Sequence, residues 1–365
     1  MLAAAVSADR DSPPHDVSAM DGYAVRLADL AVERMPVAGE VGMGADPPPL
    51  PPGQALRIMT GACVPLAGEA IVVREDVDER PGTVALKVAA SSIRSGQHIR
   101  RRGENLRAGA DVVAAGTAIG PHVAAALAAF GCSRPIVRRR VRVAVVVTGD
   151  ELLGADATPS PWQIRDSNGP ALRALLDGLP WVECVSVIHA RDDRALLMAR
   201  IGVALERADA VFVTGGVSMG VHDHVPDAVA GCGGDIVFHR LPIRPGKPLL
   251  AAVGPKGQAI IGLPGNPVAV LVAGRWFGIA ALRRLAGLPE EPELAQVVLA
   301  DPGPKAVDLW WFRLVRQAGP GRVELVPSQG SGDLVSAARS AGFVLTPPLA
   351  QGPGPWPFTP WTAAS

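Results

Sequence analysis

Between residues 148 and 267 the chain carries a series of short turns rich in acids, glycines and cations, each where an apolar run ends. Thr148-Gly149-Asp150-Glu151-Leu152 sets two adjacent carboxylates in a small turn, which suits a hard divalent cation such as Mg²⁺ beside phosphate oxygens. Asp166-Ser167-Asn168-Gly169-Pro170 supplies Ser and Asn as helix-cap candidates with Pro near the first helical position, and free amides at such a start attract phosphate. Thr214-Gly215-Gly216-Val217-Ser218-Met219-Gly220 strips side chains from a turn so that backbone can close around an anion. Asp223 follows it, placed to join Glu151 on one metal, while His222 and His224 beside it read as surface residues. Arg240, Arg244 and Lys247 surround the stiff turn Pro245-Gly246-Lys247-Pro248, and their charge matches phosphate or another oxyanion. Gly262-Leu263-Pro264-Gly265-Asn266-Pro267 is a loop of restricted φ with Asn266 as its cap candidate. Each turn alone also suits a solvated loop or a plain helix cap. Several on one sheet edge make a pocket.

The elements that must position these turns follow from periodicity. Continuous apolar runs over 141–147, 182–188 and 210–213 suit strands buried on both faces, and two more strands are expected over 235–241 and 259–263. Helical segments near 169–179, 193–207 and 267–285 alternate with them. That alternation predicts a doubly wound parallel sheet with right-handed crossovers over 138–288, whose ligands bind at the carboxyl ends of the strands. Residues 1–137 are rich in Gly and Pro with short apolar runs at 70–73 and 83–88, and read as β-rich. A helix is expected over 121–130, with Pro at its first turn and Gly131 at its end, before the basic boundary Arg138 to Arg140. After a Pro-containing linker at 288–292, runs at 296–299, 310–315 and 323–326 predict a small carboxyl-terminal β domain over 293–361. The fold class is therefore multidomain α/β: a central doubly wound parallel sheet flanked by an amino-terminal β-rich region and a small carboxyl-terminal β domain.

Composition narrows the function classes. A chain of 365 residues is expected to hold about two to four domains. Its 35 basic and 35 acidic residues cancel, which leaves no overall basic character for nucleic-acid binding. The four cysteines, Cys63, Cys132, Cys184 and Cys232, lie too far apart for a zinc site or a disulfide scaffold, which indicates a reducing compartment. Residues 1–6 lack the basic start of a signal peptide, and the greasy stretch 268–282 is interrupted by Arg275 and too short for a membrane span. A cytoplasmic enzyme without membrane or nucleic-acid partners is expected.

In this order the central motifs resemble the bacterial molybdopterin molybdenumtransferases, the MoeA proteins, which are similar to the E domain of eukaryotic gephyrin. Ser18-Ala19-Met20-Asp21-Gly22-Tyr23-Ala24-Val25-Arg26, Ile58-Met59-Thr60-Gly61-Ala62-Cys63-Val64-Pro65, Arg100-Arg101-Arg102-Gly103-Glu104 and Gln329-Gly330-Ser331-Gly332 extend the likeness to nearly the whole chain. The resemblance implies a molybdopterin-binding fold that inserts molybdate into the dithiolene of adenylylated molybdopterin, with Mg²⁺-dependent release of AMP. It implies that Glu151 and Asp223 are the metal-associated acids, and that Asp192 and Asp21 are further functional acids. Arg240 and Arg244 stand where relatives often carry lysine; Lys247, Pro264, Pro267 and Ser331 also match. A homodimer is implied, with a cleft combining the region of Asp21 from one subunit and the central domain of the other. Molybdopterin adenylyltransferase and apo-molybdoenzymes are the further partners to expect. Cys63 reads as a packing residue.

Three departures stand out. Asn105 occupies a position where relatives carry a functional aspartate, and Ala269 one where they carry serine. The chain also starts shortly before Ser18, so the family's preceding amino-terminal helices are expected to be missing: either the start is wrongly assigned or the dimer is built differently. Competing readings are a molybdopterin adenylyltransferase, which generally carries Gly-Gly-Thr-Gly at 215–218, and a non-catalytic molybdopterin-binding paralogue. A nicotinamide dehydrogenase is disfavoured because no GxGxxG follows the first strand.

Overall fold

The computed structural model describes residues 1–218, 223–288, 294–303 and 306–362. It divides into two compact units, Met1–Val137 and Arg138–Ser365.

In the first unit a six-stranded sheet is ordered Ala70–Val73, Gly22–Val25, Ala55–Ile58, Met35–Val41, Thr83–Leu86 and Val77–Arg80. Gly22–Val25 is buried throughout because it is hydrogen-bonded on both sides, with Tyr23 facing one apolar cluster and Ala24 the other. The helix Pro121–Ala129 has Pro at its first position and ends before Gly131 at φ 74, as its punctuation predicts.

The larger unit is built on a six-stranded sheet ordered Val182–Ala190, Val141–Thr148, Ala210–Thr214, Ala259–Leu263, Leu250–Val253 and Asp235–His239. The first four strands are parallel, as their uninterrupted apolar runs require. The sheet is mixed beyond them: Leu250–Val253, which periodicity did not mark, runs antiparallel to both Ala259–Leu263 and Asp235–His239. The reason is connection length, since the five residues 254–258 make a turn and cannot carry a crossover. The helices Asn168–Asp177 and Arg194–Arg207 fall where expected, and Val225–Gly231 is a further helix.

The long helical stretch expected over 267–285 is α-helical over Pro267–Ala273 and Ile279–Ala286, joined by a π-helical turn over Gly274–Gly278. Gly278 lets this element approach the sheet, because a Cβ there would lie 2.8 Å from the ring of Phe212. Within the π turn Arg275, 1 % exposed, donates from Nε to the carbonyl of Pro360 at 3.0 Å, and Trp276 packs against Phe312 and Phe343. These contacts dock the helix to the carboxyl-terminal β domain. There Trp310–Gly319, Arg322–Leu325, Gln296–Leu299, Trp356–Pro360 and Gly342–Thr346 pair in succession, and the last returns to the first, giving a barrel-like closure. The linker expected at 288–292 lies outside the described residues apart from Leu288.

Candidate active site

Thr148, Thr214 and Leu263 end three neighbouring parallel strands, and the turns that follow them form one wall of a cleft of about 1420 Å³. The Thr148 hydroxyl, in a side chain 6 % exposed, donates to the carbonyl of Thr214 at 3.0 Å and locks two of these ends together. Gly215 follows at φ 85, where an added Cβ would meet Thr148 Oγ1 at 2.6 Å. A side chain is thus excluded twice, by backbone strain and by space. Gly149, Gly215, Gly216 and Ser218 all line the cleft.

The helix start at 166–170 reaches the cleft by a different cap from the one its residue types suggest. Neither Ser167 nor Asn168 caps by its side chain; Asp166, 7 % exposed, accepts from the amides of Asn168 at 2.9 Å and Gly169 at 3.0 Å. A carboxylate at this position satisfies two helix amides and complements the helix dipole. Asn168 is thereby released to donate from Nδ2 to the carbonyl of Gly265 at 2.9 Å, joining two cleft loops. Asn266 stands at the N-cap of its helix and makes no cap bond either; its Nδ2 donates to Ser331 Oγ at 2.9 Å, while the amide of Val268 donates to the Ser331 carbonyl at 3.0 Å. Pro267, lacking an N–H, makes a side-chain cap less necessary. The barrel segment around Ser331 is so tied to the loop Pro264, Gly265, Asn266, Pro267, and all five residues line the cleft.

Glu151, Asp192 and Asp223 join Asp166 as the acids of the cleft wall, and Arg244, Lys247 and Arg313 are among its cations, with Pro245 and Gly246 between the first two. Asp150 and Arg240 do not line it. The Asp150 carboxylate instead pairs with Arg191 Nε at 3.3 Å and accepts the amide of Asp192, whose own carboxylate accepts the amide of Asp150. Arg240 is a left-handed residue at φ 73 whose amide is bound to the Leu249 carbonyl at 2.8 Å, so it closes the edge hairpin. Gly220 and His222 lie outside the described residues. Among the described residues no group of three or more His, Cys, Asp or Glu is gathered as a metal cage. Mg²⁺ needs less than that, since it takes one or two carboxylates together with substrate oxygens and water, and Glu151 with Asp223 fit such a role.

Trp311 and Arg313 also line the cleft and were not singled out by their residue types. Burial pushes the pKa of the Arg313 guanidinium down, with Asp301 acting in the opposite sense.

Asp21 lies in the first unit. One carboxylate oxygen accepts both the amide and the hydroxyl of Thr60 at 2.8 Å, and these bonds hold its pKa below the ordinary carboxylate range. Asn105 is bound in a network of its own: Oδ1 accepts from Arg100 at 2.6 Å and Nδ2 donates to Ser12 Oγ at 3.2 Å. An ionised aspartate could not make the second bond. Desolvation raises the pKa of the Cys63 thiol, which suits a packing role.

Comparison with known proteins agrees with this architecture. Residues 1–131 match the family described as MoeA N-terminal region (domain I and II), and residues 144–284 match the probable molybdopterin binding domain. The chain is 34% identical over 363 residues to the molybdopterin molybdenumtransferase of Synechococcus elongatus, covering 95% of this chain and 87% of that one. It is 38% identical over 307 residues to molybdopterin molybdenumtransferase 2 of Mycobacterium tuberculosis, covering 80% and 73%. The crystal structure of the molybdopterin biosynthesis MoeA protein from Pyrococcus horikosii superposes with a TM-score of 0.80 at 29% identity, over 99% of this chain and 91% of that one. Among the described residues no helix is long and apolar enough to cross a membrane.

Proposed function

Because the chain belongs to the MoeA family of molybdopterin molybdenumtransferases of molybdenum cofactor biosynthesis, we propose that it inserts molybdate into adenylylated molybdopterin and releases AMP in a Mg²⁺-dependent step. The observation that supports this best is the charge pattern of the cleft. Arg244, Lys247 and Arg313 face it without an ion-pair partner among the described residues, beside the glycines Gly149, Gly215 and Gly216 and two carboxylates suited to one divalent cation. A substrate with a pyrophosphate linkage and an oxyanion as second substrate are the ligands that complete such a set.

In this reading the cations neutralise the phosphates and the glycine turn after Thr214 admits them to the backbone. As an oxygen nucleophile, water or molybdate, bonds to the pterin-side phosphorus, the phosphoanhydride bond breaks and its electron pair leaves with AMP. Fixed guanidinium and ammonium groups stabilise the negative charge growing there without rearranging. Asp166 and Asn168 keep the loops that surround the reacting groups in register. Glu151 and Asp223 would hold Mg²⁺, which when bound supplies Lewis-acid polarisation of the phosphoryl oxygens. Asp21 and Asp192 are assigned as further catalytic acids. The protein works as a homodimer, receiving substrate from molybdopterin adenylyltransferase and delivering cofactor to apo-molybdoenzymes.

The test is AMP release from adenylylated molybdopterin with purified protein, Mg²⁺ and molybdate, beside Glu151→Ala. Molybdate-dependent release that falls roughly a hundredfold or more in the variant, with its melting temperature unchanged, is the expected result. Tight substrate binding without release by folded wild-type protein would assign the chain to the non-catalytic class.

A further inference from the structure

The wall of the cleft contributed by the β domain contains an arrangement that the reaction scheme leaves unexplained. The short strand Ile243–Arg244 pairs in parallel with Trp310–Gly319 and places Arg244 opposite Trp311. Arg313 follows Trp311 by two residues. Cross-strand partners and i, i+2 neighbours project from one face of a sheet, and the guanidinium carbons of Arg244 and Arg313 accordingly lie 5.0 and 4.7 Å from the centroid of the Trp311 ring.

Two like charges beside one ring repel each other, and no carboxylate forms an ion pair with either among the described residues. Partly desolvating such a pair is unfavourable unless an anion completes it. The π face of an indole offsets some of that cost and restricts two long side chains that would otherwise sample many rotamers. The two arginines do not depend on it equally. Arg313 has an anchor of its own, the carbonyl of Pro302, whereas Arg244 is exposed and its guanidinium has the ring as its contact.

We infer that Trp311 is a positioning residue, whose indole holds Arg244 and Arg313 as a fixed pair of guanidiniums for the pyrophosphate-bearing part of the substrate. The inference rests on the reading of the cleft as a phosphate site. It differs from a packing role in one respect: the effect of Trp311 on anion affinity must pass through the arginines, and through Arg244 most of all.

Calorimetric titration with inorganic pyrophosphate separates the two, because it reads anion binding without turnover. Trp311→Leu, which keeps an apolar side chain and removes the π face, is expected to weaken pyrophosphate binding roughly three- to thirtyfold. Trp311→Phe, a poorer cation–π partner, is expected to lose about two- to threefold. In an Arg244→Ala background the Trp311→Leu step should cost much less than it does in the wild type. Wild-type affinity in Trp311→Leu, or the same loss in both backgrounds, overturns the proposal. Should Trp311→Leu fail to fold by near-ultraviolet circular dichroism, Trp311→Phe decides, and affinity equal to wild type overturns it. AMP release by the wild-type protein judges the enzymatic reading separately, so either idea can fail alone.

Discussion

At the amino ends of the central strands Asp209 precedes Ala210–Thr214 and is met by arginine on both sides. Arg139 donates to both of its carboxylate oxygens, at 2.5 and 2.8 Å, and the amide of Arg142 adds a third bond at 2.9 Å. Gln258, 7 % exposed, accepts the amide of Lys256 and donates to the carbonyl of Leu205, both at 2.9 Å. At the carboxyl ends of the same strands the threonines and loop amides are as well bonded, and Arg244, Lys247 and Arg313 form no ion pair among the described residues. Both edges border a cavity, of about 350 Å³ and 1420 Å³ respectively, so concavity does not distinguish them. Unpaired cations do not distinguish them either, since Arg138, Arg140 and Lys256 border the smaller cavity without an ion pair among the described residues. What differs is the acids, because Asp209 is bound by Arg139 while Glu151 faces the larger cleft with no ion pair among the described residues. An acid held by a fixed arginine marks an edge that holds the sheet together, and an unpaired acid among cations and glycine turns marks an edge that awaits a ligand.

The sharpest way to break this contrast is to add one methyl group at each edge. Gly215→Ala forces φ 85 on a residue with a Cβ and drives that Cβ to 2.6 Å from Thr148 Oγ1 and 3.0 Å from its carbonyl oxygen. We expect a loss of roughly 2–4 kcal/mol in stability and more than a tenfold fall in AMP release. Gly257→Ala, at φ 80 on the amino edge with nothing within 4 Å of the added carbon, is expected to lose about 1 kcal/mol and no activity. Urea unfolding and the AMP assay on the two variants check both statements; equal losses of activity would erase the distinction between the edges.

The sequence carried much of this edge and not all of it. Each parallel strand, and the turn after it, was legible because an apolar run ending in Gly, Asp or Pro leaves few alternatives. The antiparallel pair at the far side of the sheet was not, since Leu250–Val253 is a short apolar run whose direction is fixed by the length of the turn after it. Caps were misplaced by a residue or two: Asp166, Ser167 and Asn168 are all good cap types, and local composition cannot say which one turns inward. Trp311 and Arg313 lay in a run correctly read as a strand. Their relevance depends on Arg244, 67 residues before Trp311, pairing beside them, and no local pattern announces such a contact.

A smaller effect is expected from Asp209→Ala, and its pH dependence has a definite sign. The hydrogen bond from Arg139 is the largest cause lowering the pKa of Asp209, with the Arg142 amide assisting against desolvation. A carboxyl group whose folded pKa is depressed contributes stability above its unfolded value, and loses that contribution as pH falls through the folded value. The variant should therefore be about 1–2 kcal/mol less stable than wild type at neutral pH. The difference should close as the pH drops below the ordinary aspartate value of 3.8. Calorimetric unfolding across that range tests the closure, and AMP release by the variant should match wild type at neutral pH. A fall in activity would show that the amino edge also shapes the cleft.

The smallest effect is expected where the ligand edge borrows a contact from the barrel. Ser331→Ala removes the acceptor of the Asn266 Nδ2 bond and leaves the backbone bond from Val268 to residue 331 in place. Both side chains are solvent-accessible, so water replaces the lost partner and stability should change by less than about 1 kcal/mol. Kinetics should respond more than stability. The loop Pro264, Gly265, Asn266, Pro267 would sample a wider set of positions, and the cost of ordering it would fall on substrate binding. KM for adenylylated molybdopterin is expected to rise severalfold with kcat little changed, and Ser331→Thr, which keeps the hydroxyl, should restore most of it. If kcat falls instead and threonine does not rescue it, Ser331 touches the reacting groups directly, and the barrel belongs to the catalytic edge in its own right.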